Sequence, residues 1–135
     1  MNCFFVPVNL KHWDMFQKVK QAGHIETFLA TKEIQLGDVM LLYVGKQDPR
    51  YASGVYAIGI ACSEQYIPKN HPEEYCNNRN SVDVRIIAIN YEKPYISHEV
   101  FSHFTRQLRS VHKISPMYYP DLQRILEENE IIVSK

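Results

Sequence analysis

Six histidines, three cysteines and a single tryptophan are the residues best equipped for chemistry here, and their spacing excludes more reactions than it allows. The chain has no GxSxG elbow, no phosphate-cradling glycine loop, no HExxH and no paired CxxC. The intervals between His98 and His103, and between His71 and Cys76, match no familiar ligand pattern, so no metal is expected. Cys76, in a polar loop near Arg79, reads as an exposed thiol. It becomes a nucleophile only if a base such as His71 comes within hydrogen-bond reach. Cys3 and Cys62 lie in apolar runs and read as buried, reduced thiols. No catalytic residue and no cofactor is assigned.

Fifteen basic and fifteen acidic residues cancel, which argues against sequence-blind binding of a long duplex. The distribution is uneven. From Val100 to Pro120 there is no acid, whereas His103, Arg106, Arg109, His112 and Lys113 all fall there; Glu127, Glu128 and Glu130 reverse the sign. Arg106, Arg109 and Lys113 are candidate phosphate contacts for a single-stranded anionic partner, with a solvated basic loop as the plainer reading.

At 135 residues and 45% hydrophobic content, the chain is expected to form one domain over residues 1–135, with a real core. No apolar run is long enough to cross a bilayer, and no secretion leader is visible. A cytoplasmic protein with no membrane partner is expected. Cys3–Val8 reads as a first strand. Asn9 would cap a helix with Trp13, Met15, Phe16 and Val19 inward and Lys11, Lys18 and Lys20 outward, stopped by Gly23 in a left-handed conformation. Residues 24–35 read as irregular, with Ile25, Phe28 and Ile34 tucked onto the core. A Gly37-Asp38 turn launches a strand over Val39–Val44, and another runs from Gly54 to Cys62, after a polar loop from Gln47 to Ser53. The long loop Gln65–Asn80 is the candidate for a mobile flap. A fourth strand is expected over Val82–Asn90. Ser97 would cap a short helix with Val100, Phe101 and Phe104 apolar, and Pro120 would open a last helix with Leu122, Ile125 and Leu126 inward. Ile131–Val133 reads as an edge strand or a packed tail. The sum is an α+β fold of about five mostly antiparallel strands and about three helices.

The ordered set Phe4-Phe-Val-Pro-Val-Asn9, Trp13, Gly23-His24-Ile25, Leu36-Gly-Asp-Val39, Leu41-Leu-Tyr-Val44, Gly54-Val-Tyr-Ala-Ile-Gly59 and Val82-Asp-Val-Arg-Ile86 resembles the EVE domain. The likeness extends to a closing helix around Asp121–Ile125 and so covers nearly the whole chain. EVE domains are PUA-like open β-barrels related to the YTH readers of methylated adenine. The resemblance implies a binding module rather than an enzyme, holding a modified base or nucleotide of DNA or RNA beside the first strand. Carried over by position, Val8 and Asn9 would supply edge contacts. Trp13 stands at the tryptophan that follows the first strand, and His24, beside Ile25, stands where the family often has an aromatic residue. Tyr43, Tyr56 and Arg85 match further strand positions. With His24 in place of an indole, an aromatic cage would draw on Tyr118, Tyr119, Tyr66 or Tyr75. A partner nuclease or modification enzyme is compatible with such a module. Two other readings stand beside it: an interaction or regulatory module whose pocket its own side chains fill, and a hydrolase or transferase using Cys76 or a histidine.

Overall fold

A computed structural model describes residues 1–133 except 32, 47 and 73. Gln47, where the polar loop was expected to begin, and the last two residues of the expected 1–135 domain therefore lie outside the described residues.

The longest apolar runs became the centre of the sheet. Strands β1 (Cys3–Val8), β2 (Ile25–Leu29), β3 (Val39–Val44), β4 (Gly54–Ala61), β5 (Ser81–Ile89), β6 (Ile96–Ser97) and β7 (His112–Lys113) form one sheet in the order β2-β5-β4-β3-β1-β7, with β6 pairing β4. Only β1 and β3 run parallel; the other pairs are antiparallel. Among the described residues three α-helices, α1 (Met15–Lys18), α2 (His98–Phe101) and α3 (Tyr119–Glu128), complete a mixed α+β fold around a curled, open sheet. The mixed α+β class is as expected, but among the described residues the strands number seven rather than about five. Two of them, β6 and β7, are two residues long, too short to show any alternation in sequence.

All six residues of β3 are buried, as a strand covered on both faces requires. Alternation on β1 then sorts its side chains into two cores. Phe4, Val6 and Val8 join Met15, Val19, Met40, Tyr56 and Val84 on one face, while Cys3 and Phe5 join Tyr43, Phe101, Leu122 and Leu126 on the other. The curl comes with bulges at Leu42/Tyr43 and Ile58/Gly59. At Gly59 any Cβ would collide with the Val84 side chain, so the two strands approach closely only because that position lacks one. Asp38 does what a turn residue before a strand should. Its carboxylate, 3% exposed, accepts the Asn2 and Gln35 amides, both at 2.9 Å.

Several local expectations need correction. The first helix is a single four-residue turn. Asn9 organises a preceding turn instead: its Oδ1 accepts the Lys11 amide and its carbonyl accepts those of His12 and Trp13. Met15 and Val19 are fully buried, whereas Trp13 and Phe16 are half-buried. Gly23 is left-handed (φ +96°), but it leads into β2, so residues 25–29 are a strand and not irregular. Ile25 is exposed on that strand, and Val100 is exposed on α2. Ser97 caps α2 through Val100 N, and Pro120 sits in the first turn of α3. The segment 131–133 forms no strand; Ile131 is buried and Ile132 is exposed.

Candidate functional site

A cavity of about 540 Å³ opens at the end of β1. Its floor is Val6 and Val8, with Val111 beside them; its sides are Trp13 from the turn after β1, Phe28 and Leu29 from β2, and Tyr75 from a short 3₁₀ turn. The volume lies within the range of small-molecule sites, and aromatic and aliphatic walls with few polar groups are their usual make-up. Among the described residues no Asp, Glu, Lys or Arg lines it; the polar groups are Asn9 and His12, both exposed, and the Tyr75 hydroxyl.

Pro7 explains why the cavity exists at this place. Cys3 turns its N–H to the Tyr119 hydroxyl (3.0 Å) and its carbonyl to the Ile114 amide (2.9 Å), away from β3. Alternation turns Phe5 and Pro7 to the same edge. β7 pairs with Phe4 and Phe5 and goes no further. Proline has no N–H to continue that ladder, so the chain before His112 departs from β1 and Val111 becomes a wall.

Two of the rings meet as a corner. Trp13 and Phe28 lie edge to face, centroids 5.2 Å apart at 84°. The Trp13 indole N–H is buried and has no hydrogen-bond partner among the described residues, a desolvation cost of about 1–3 kcal/mol. Tyr75 is held by its hydroxyl, which donates to the Thr27 carbonyl at 3.2 Å. The Thr27 hydroxyl donates to Asp83 at 2.8 Å and also meets His71 Nε2 at 3.0 Å; the Tyr66 hydroxyl donates to the same Asp83 oxygen at 2.6 Å. That acceptor bond holds the proton on Tyr66, raising its pKa, with burial adding to the effect. Tyr66 also exchanges both backbone bonds with Ser81, and Gln65 bonds the Thr31 and Ile34 carbonyls and Asn80. The loop 65–80, expected as a mobile flap, is thus tied to β2 and β5 by bonds its Pro- and Asn-rich composition does not advertise.

Of the expected ligand residues, Val8, Asn9 and Trp13 line the cavity. The other five do not. His24 bonds Glu26 at 2.7 Å, and Ile25 and Arg85, partners in register, are exposed. Tyr43 points into the opposite core, its hydroxyl 2.7 Å from His98 Nδ1. Tyr56 is fully buried, its hydroxyl donating to the Ala52 carbonyl at 2.6 Å. Burial raises the pKa of both phenols. Phe28, expected on the core, packs there and also lines the cavity, as do Tyr75, one of the spare aromatics, and His12, Leu29 and Val111, which no sequence pattern marks. The β-branched and aromatic run Ile25-Glu-Thr-Phe-Leu29 was the available signal for β2, masked by two polar residues that are buried, Glu26 and Thr27.

Arg106, Arg109 and Lys113 are exposed and form no ion pair with any described residue, whereas Arg50 is held by Asp48 and Arg124 by Asp121 and Glu128. Lys113 is opposite Phe4 in β7, on the face that Val111 shares. The exposed-thiol reading of Cys76 is overturned: the side chain is fully buried, its Sγ 3.7 Å from the Thr27 carbonyl, which denies it a substrate. Among the described residues no group of three His, Cys, Asp or Glu could hold a metal.

No protein-family model matches the chain, and no curated protein matches it. Solved structures do. A hypothetical protein from Leishmania major aligns at a TM-score of 0.60 with 17% identity, over 96% of this chain and 97% of that one. A protein from Rhodopseudomonas palustris, solved by NMR, aligns at 0.61 with 12% identity, over 93% and 92%. One from Pseudomonas syringae aligns at 0.58 with 11% identity, over 91% and 98%. At these identities the likeness is one of fold alone, end to end.

Proposed function

We propose that this chain is a non-catalytic binding module that takes a flat, uncharged heterocycle, the modified base of a DNA or RNA nucleotide, into the cavity beside β1. The reading joins the sequence resemblance to EVE domains of the PUA-like class with the cavity itself. The observation that carries it is a space of about 540 Å³ walled by Trp13, Phe28 and Tyr75, with no carboxylate, ammonium or guanidinium among the described residues of its lining. Such a lining suits a ring whose charge lies elsewhere; a phosphate inside it would be desolvated without a counter-charge. Each stacked base is worth about 1–3 kcal/mol. Edge atoms would be met by Asn9 and by the Pro7 carbonyl, which alternation leaves on the unpaired edge of β1.

Trp13 is the only tryptophan and lines the cavity, so its fluorescence reports occupancy directly. Methylated and plain nucleosides and short single strands, titrated at low salt, are expected to change that emission saturably and to rank by modification. A flat response, or an identical one across the panel, removes the reading.

A further inference from the structure

We propose that a second hollow, between α2 and the turn at Tyr118, seats a phosphate group. Resting on the reading above, it takes a backbone phosphate of the strand whose base enters the cavity. The hollow, about 340 Å³, is lined by Ser102, His103, Phe104, Thr105, Arg106 and Tyr118. Its lining is the reverse of the cavity's: five of the six carry polar groups, and none is acidic. Arg106 and His103, both exposed, and the half-buried Tyr118 line one space, and none of their side-chain donors has a hydrogen-bond or ion-pair partner among the described residues. An anion with several acceptor oxygens answers that arrangement.

The walls are fixed by bonds that leave these donors free. Thr105 Oγ1 lies 2.8 Å from His112 Nε2 and accepts the Gln107 amide at 3.2 Å. Phe104 packs edge-on against Tyr118, centroids 5.5 Å apart. The neighbouring carboxylates do not intrude: Glu99 is not in the lining, and Asp121 is paired with Arg124. The same segment continues from Arg106 in the hollow to Val111 in the cavity wall. Five residues span at most about 18 Å, which sets an upper limit on their separation within reach of a short strand. Phosphates position and bases specify in such interfaces, and the two spaces divide the work in that way.

The test uses a labelled single strand and its counterpart with an abasic centre, followed by anisotropy across a salt series. Arg106→Gln is expected to flatten the slope of log affinity against log salt by about 0.7 on both strands. Arg124→Gln, which alters an arginine already paired, is expected to leave it unchanged. The Trp13 response to free nucleosides should be the same in all three proteins. An unchanged slope for Arg106→Gln, or no binding of either strand at low salt, overturns the phosphate seat. Displacement of the abasic strand by inorganic phosphate at matched phosphate concentration assigns the seat to a free anion and overturns its assignment to a strand. Arg106-dependent binding of the abasic strand without any Trp13 response to a base keeps the seat and removes the cavity reading.

Discussion

The two faces of the sheet are built from the same strands and both bury a core, yet one of them is left partly open beside β1. On the packed face Phe5 lies 5.3 Å from Tyr43, 5.7 Å from Phe101 and 5.2 Å from His112, all centroid distances. Helix α3, ten residues long, covers that face with Leu122 and Leu126. On the other face the cover is a four-residue helix, a turn and the loop at Tyr75. A single helical turn carries too few inward side chains to fill the ground between β1 and β2. What distinguishes the faces is the length of the covering element, not the apolarity of the strands. The longer cover therefore lies on one side and the apolar cavity on the other.

The sharpest way to break that contrast is to delete a ring from each side. Phe5→Ala removes a fully buried ring from the packed face and is expected to cost about 3–5 kcal/mol, read from denaturant unfolding. Phe28→Ala, half-buried beside open space, should cost about 1–2 kcal/mol, yet abolish any ligand response of Trp13. Equal losses would erase the distinction between the faces.

A smaller effect belongs to Cys3, on the packed face. Burial, then the charge of Asp38, pushes its thiol from 9.0 up to about 11, with the amino terminus opposing. The folded state thus holds this proton more tightly than the unfolded chain does. Its contribution is complete below pH 9 and is lost as pH rises through 11. The stability difference between the wild type and Cys3→Ala should shrink across that window; a constant difference would show that the thiol is not shielded.

The smallest effect is expected at Trp13. Trp13→Phe gives up indole area but also removes an N–H that has no partner, so the net change should stay within about 1 kcal/mol. A loss of several kcal/mol would make this ring a core anchor like Phe5 and move it to the other side of the comparison.

How much was legible follows the same division. β1, β3, β4 and β5 are long and apolar, and their sequence bounds agree with the structure to within a residue or so. α3 was legible from Pro120 and the spacing of Leu122 and Leu126. The cover of the open face was not. Trp13, Phe16 and Val19 have a helical spacing that a local turn overrides, and β2 contains Glu26 and Thr27, whose partners are His24 beside it and Asp83 on β5. Val8, Asn9 and Trp13 were found because they adjoin a readable strand. Tyr75 and Val111 reach the cavity through loop geometry and strand divergence, which no periodicity encodes. Tyr43 was misplaced because a strand residue's type does not reveal which core it enters when both faces are buried; Tyr56 enters the core beneath the cavity but is fully buried there, its hydroxyl bonded to the Ala52 carbonyl.

Pro7 has a consequence outside the site. The margin of β1 beyond Phe5 would otherwise be a template on which a second molecule could add a strand, a recognised route to aggregation. A residue unable to donate at that point spoils the template while sparing the ladder to β3. Replacing Pro7 with valine would restore the missing donor and invite the protein to associate with itself along that margin, beside the cavity that Pro7 lines.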